Sequence, residues 1–197
     1  MTTDLNNYPA FLGSELPPIP AQQARFHVLP VPWERTVSYG SGTARGPSAI
    51  LKASWQLELW DGHGTPGRAG LYTHPPVDVR GEPEAVLERI STAVEEILAL
   101  GKTPVVLGGE HTVTYGVIQG YLRAGMRDFG VVQIDAHADL RDRYEDDPFS
   151  HACVMRRVVE AGIPVFQLGV RALCEEEIEA RRHFGLKYLD AEALVTE

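Results

Sequence analysis

The sequence predicts an α/β protein built on a mainly parallel sheet. From about Thr103 onward, apolar runs of strand length alternate strictly with amphipathic runs of helix length, the pattern of βαβ units. The strand runs "PVVLGG", "FGVVQID" and "PVFQLGV" are nearly continuous in apolar residues, as strands covered on both faces are. The 197 residues, 44% of them hydrophobic, suffice for one domain with a proper core.

Each element has a local reason. Residues 1–23 are polar and proline-rich and read as an extended N-terminal arm, lacking the basic start and apolar centre of a signal peptide. "RFHVLPVPW" (25–33) reads as the first strand, followed by the turn-rich "TVSYGSGTARG". Pro47 is placed to open a helix over "PSAILKASWQLELW". Glycines and prolines from Gly62 to Gly70 interrupt the chain before a short strand near "LYTHPPV". The clearest helix is "PEAVLERISTAVEEILAL", where Val86, Ile90, Val94 and Ile97 recur on one face and Gly101 follows as a C-terminal cap. Helices over "TVTYGVIQGYLRAG", "HACVMRRVVEAG" and "CEEEIEARRHFG" then alternate with the strands, the last of which is "LKYLD". "DAEALVTE" starts one more element.

Composition narrows the function. Eighteen basic against 27 acidic side chains give a net charge of −9 with no basic run, which argues against nucleic acid or an anionic membrane surface as partner. A small cationic ligand suits that charge. No apolar run approaches the roughly 20 residues that span a bilayer. Two cysteines, Cys153 and Cys174, with no C-x-x-C pair, suit a reducing cytoplasm and disfavour a thiolate zinc site.

Chemistry concentrates at two strand ends, where open parallel sheets place their sites. "VVLGGEHTVTYG" sets Glu110 and His111 at a strand-to-helix junction. "VVQIDAHADLRD" ends a buried strand with Asp135, His137 and Asp139 at alternate positions, which an extended backbone would present on one face. One crossover joins the two strands, so His111 is expected beside that set. A single such Asp or His is more often a cap or a satisfied polar group. Three together are costly to desolvate without a cation. Carboxylate and imidazole donors without thiolate suit manganese, with iron, cobalt or nickel as alternatives, and neighbouring carboxylates can bridge two ions. His151, after a loop carrying Asp142, Glu145, Asp146 and Asp147, is either a plain helix-start group or a proton shuttle.

Taken in order and spacing, "GGEHTVTYG", "DAHADLRDRYE", "SHACVMRR" and "QLGVRA" resemble the ureohydrolase family of arginases and agmatinases, agmatinase above all. The resemblance reaches upstream into "TVSYGSGTARGPSAILKAS". It implies a three-layer αβα fold and a site with two manganese ions that hydrolyses a guanidinium group. Implied metal ligands are His111 and Asp139 for one ion, His137 for the other, and Asp135 bridging. Asp139 and His151 are the implied catalytic residues, relaying a proton. The implied reaction is agmatine to putrescine and urea, a step of polyamine biosynthesis, with Asp142 and its acidic loop disfavouring a substrate carboxylate. A homo-oligomer is implied for complete members.

One family motif, S-x-D-x-D-x-x-D-P, is absent, so four of six implied ligands are present. The chain is therefore expected to be a single, C-terminally incomplete ureohydrolase domain over 1–197, with little or no activity alone. The competing expectations are a non-catalytic homologue, or another ureohydrolase such as arginase, guanidinobutyrase or formimidoglutamase.

Overall fold

The computed structural model describes residues 8–196, which fall into two compact units, one ending at Ala124 and one beginning at Gly125. The first unit holds β1 (Phe26–Val31), α1 (Gly46–Ala53), β2 (Leu71–Thr73), α2 (Pro83–Ala99), β3 (Thr103–Gly108) and α3 (Val113–Arg123). Its three strands form a parallel sheet in the order β2-β1-β3. A proline is tolerated at the centre of this sheet for a local reason. The carbonyls of Val28 and Pro30 accept from His74 and Val77 on the β2 side, so the absent Pro30 N–H falls past the end of β2.

Helix α2 buries Val86, Ile90, Val94 and Ile97, the stripe read from the sequence, and Leu87 and Ser91 beside them. Gly101 follows it with φ +69°, the left-handed cap that glycine adopts without strain. Helix α3 packs closely on α2 because Gly116 and Gly120, one turn apart, face Ile90 and Val94. A Cβ at Gly120 would lie 2.6 Å from the Val94 Cβ.

The second unit holds β4 (Val131–Ile134), α4 (Val154–Glu160), β5 (Val165–Leu168), α5 (Glu175–Phe184), β6 (Lys187–Leu189) and α6 (Ala191–Thr196). Its sheet is parallel with order β4-β5-β6 and pairs Gln133 with Gln167, and Gln167 with Tyr188. Alternate rows differ sharply. Gln133 and Gln167 point into the unit, whereas Val132 and Ile134 on the other face are 65% and 79% exposed, with Phe166 beside Val132 also exposed. Helix α5 carries three glutamates in its first turn and Arg181, Arg182 and His183 in its last, matching the helix dipole.

Three expectations change. The helix opened by Pro47 stops at Ala53 and tightens into a 3-10 turn over Ser54–Gln56. There the Ser54 hydroxyl donates to the Leu51 carbonyl and accepts from Leu12 N–H. Consequently the described part of the expected extended arm is not extended. It turns at residues 11–16, buries Leu12, and is tied down by Phe11 N–H to Thr73 Oγ1 and by the Trp55 indole to the Ala10 carbonyl. The helix read from His151 begins as a 3-10 turn, His151–Cys153, before α4. Among the described residues no helix is long and apolar enough to cross a membrane.

Candidate metal centre

At the end of β3 the backbone itself does the positioning. Gly109 passes so close to Trp33 that a Cβ there would fall on its carbonyl oxygen, 2.9 Å from the carbonyl carbon and 3.0 Å from the Trp33 nitrogen. Gly109 N–H donates to Val31 and Glu110 N–H to Trp33, which carries the strand register around the turn. The buried Glu110 carboxylate then accepts the Arg35 and Thr36 N–H groups through Oε2. Its Oε1 is buried with no hydrogen-bond partner among the described residues. His111 follows, half-buried, its carbonyl accepting from Thr114 at the entry to α3. The loop after Trp33 is gathered by Glu34, whose carboxylate is held below the usual range by the Ala44 and Gly42 N–H groups.

At the end of β4 side chains do that work. The strand stops at Ile134 and Asp139 adopts φ +52°, so alternation on an extended backbone is not what presents the acidic residues. The turn itself brings carboxylate oxygens of Asp135 and Asp139 within 4.8 Å of each other, with Asp139 buried. His137 stands more openly. Its side chain is 66% exposed, with Nδ1 3.6 Å from Asp135 Oδ1, and its N–H donates to the same carboxylate.

The 135–140 loop has its backbone groups answered by the protein. Ala136 accepts from Arg171 and Ala172, Asp139 from Met155 and Arg156, and Leu140 N–H donates to the buried Glu177 carboxylate. The carbonyls of His137 and Ala138 accept from the side-chain amides of Gln133 and Gln167. Gln167 in turn accepts from Arg181 Nε, and Arg181 forms a two-pronged pair with Asp190. Gln133, Gln167, Glu177 and Arg181 do not stand out in the sequence as site residues. The available signal was a glutamine at matching positions of two otherwise apolar strands.

The residues at this strand end fit a divalent cation. Two carboxylates this close repel unless a cation or donors offset the charge, and oxygen donors with an imidazole beside them suit manganese-type chemistry.

His151 sits on its 3-10 turn with Ser150 as cap, its ring 5.8 Å from that of Tyr144 and edge-on to it. The acidic loop before it is less negative than its acids suggest. Arg157 pairs with Asp142 at 2.5 Å and holds its carboxyl below the usual range, Arg143 bonds the Asp146 carbonyl, and Arg141 lies over Tyr144. The Asp142 charge is therefore offset by a neighbouring guanidinium. Burial pushes the Cys153 thiol up to about 11, which removes it as a nucleophile at neutral pH.

The family model for the Arginase family matches residues 24–196. An N(1)-aminopropylagmatine ureohydrolase of Synechocystis is 40% identical over 163 residues, 79% of this chain and 53% of that protein. A protein of the same name from Thermus thermophilus is 35% identical over 90% of this chain and 61% of its own length. The agmatinase of Bacillus subtilis is 34% identical over 84% of this chain and 58% of its own. Among solved structures, an agmatine ureohydrolase of Thermoplasma volcanium superposes with TM-score 0.81 at 26% identity, covering 91% of this chain and 61% of that one. The chain thus spans little more than half the length of these relatives.

Proposed function

The chain belongs to the Arginase family, and from that premise we propose that it contributes to a metal-dependent site hydrolysing the guanidino group of a small cationic substrate. The observation that carries this reading is the Asp135–Asp139 carboxylate pair at the end of β4, one member buried, beside the His137 imidazole. Asp135, His137 and Asp139 would hold manganese, and His111 is proposed as a further ligand by its place in "GGEHTVTYG". A bound divalent ion supplies Lewis-acid activation of water at neutral pH. In the overall reaction water adds its oxygen to the guanidino carbon, one C–N bond breaks, and a proton moves to the departing amine to leave urea. His151 and Asp139 are the proposed groups for that proton, His151 because imidazole takes up and gives up protons near neutrality.

Agmatine is the substrate favoured by the motifs. N(1)-aminopropylagmatine is a second reading, supported by the name of the 40%-identical Synechocystis relative. Both are polycations and suit a chain of net charge −9. Since four of six implied ligands are present, this chain by itself is proposed to bind manganese and release little urea. A non-catalytic role is the competing reading.

Manganese titration of the purified chain, followed by the paramagnetic signal of the free ion, tests the site. Binding that is lost in Asp139→Asn supports it; a parent chain that binds no manganese sinks it. Urea release from agmatine, N(1)-aminopropylagmatine, arginine and guanidinobutyrate, assayed side by side, decides the substrate. Brisk urea release by this chain alone would overturn the proposed weak activity.

A further inference from the structure

We infer that Gln167 and Arg181 are positioning residues that set the direction of the 135–140 loop, and with it the presentation of Asp135 and Asp139. The inference rests on the metal-site reading above and adds residues that touch neither metal nor substrate.

A guanidinium only donates hydrogen bonds. Arg181 Nε donates to Gln167 Oε1 at 2.8 Å, so the Gln167 amide cannot be reversed without setting donor against donor. Its NH2 group must then face the other way, where it donates to Gln133 Oε1 at 2.6 Å and to the Ala138 carbonyl at 2.7 Å. That fixes the Gln133 amide in turn, and its NH2 group donates to the His137 carbonyl at 3.1 Å. One cation thus orders two amides and two successive loop carbonyls, those of His137 and Ala138, which lie between the two aspartates.

The chain of donors is buried throughout. Gln167 is 0% exposed, and Gln133 and Arg181 are 5% exposed each. Asp190 closes the far end with two oxygens at 2.9 and 3.0 Å, so the buried guanidinium charge is offset without drawing on Asp135 or Asp139. A hydrophobic fill of the same space would bury the sheet as well, but it would leave both carbonyls without donors and both ligand residues free to reorient. Partners outside the ligand set of metal sites act in this way, and their loss typically weakens metal binding about 10–100-fold.

Gln167→Glu separates positioning from packing. It keeps the shape and the bond from Arg181 but cannot donate to Ala138 or Gln133. Arg181→Lys keeps the charge beside Asp190 but lacks the planar fork. Manganese affinity is measured at a temperature where each variant is fully folded, with the melting midpoint recorded separately. The expected result is a loss of about tenfold or more in affinity for Gln167→Glu, and a smaller loss for Arg181→Lys. Affinities within twofold of the parent in both variants, whatever the midpoints do, overturn the inference. Amide exchange of residues 135–140 in the metal-free chain is read in the same samples. If the parent binds no manganese, the metal-site reading fails, and exchange alone judges the positioning. Faster exchange confined to that loop in Gln167→Glu supports it, and unchanged exchange overturns it.

Discussion

The ends of β3 and β4 both deliver chemistry-bearing side chains, and they are built on opposite principles. The β3 end is a backbone device, in which Gly109 threads past Trp33 where no side chain fits and Glu110 collects the N–H groups of Arg35 and Thr36. The β4 end is a side-chain device, in which a loop is suspended from amides and carboxylates on β4, β5 and α5. The first arrangement is all or none. The second has many anchors and loosens by degrees.

The sharpest way to break this contrast is Gly109→Ala. The new methyl meets backbone that cannot rotate away, so the cost is expected above about 3 kcal/mol, beyond the usual range for overpacking. Chemical denaturation followed by Trp fluorescence would measure it, and a cost under about 1 kcal/mol would show that the turn relaxes easily. At the β4 end, Glu177→Ala leaves the N–H groups of Leu140 and Cys174 without their acceptor and is expected to cost about 1–3 kcal/mol. Glu177→Gln retains one accepting oxygen and should cost less. Equal costs for the two would contradict a device that loosens stepwise.

A pH effect distinguishes the units further. In the first unit His27 is fully buried, its Nδ1 2.8 Å from His74 Nε2 and its Nε2 3.0 Å from the Ala21 carbonyl. Both contacts are satisfied when His74 and His27 are neutral and each donates from Nε2. Burial first, then the neighbouring His27, lowers the His74 pKa from 6.5. The unfolded chain therefore takes up a proton near 6.5 that the folded chain refuses. This contribution to stability is whole above that pH and falls away below it. Denaturation midpoints from pH 8 to 5.5 should decline below about 6.5, and His74→Gln should flatten the decline. The smallest effect is expected from Arg156→Ala. It removes an exposed pair with Glu160 and a cation lying over Phe184, and should shift stability by less than about 1 kcal/mol.

How much of this was legible follows from the range of each cause. The α2 stripe and the cap at Gly101 are local, and the sequence shows them. Asp135 and Asp139 do approach each other, but a left-handed residue and not strand alternation brings the carboxylates together. What escaped is tertiary. Arg157 takes up the charge of Asp142 from 15 residues away, and Arg181 reaches Gln167 from 14, so neither partnership shows within a local window of sequence. Ser54 ended α1 early because Leu12, 42 residues back, offered it a second bond.

The buried Cys153 thiol has a practical reach of its own. With that sulfur held protonated until about pH 11, a maleimide applied at neutral pH finds only the partly exposed Cys174. Cys174 stands at the head of α5, the helix that carries Glu177 and Arg181. The native chain therefore offers a single labelling point, and a spin label or fluorophore placed there would report on the loop's scaffold without any engineered cysteine.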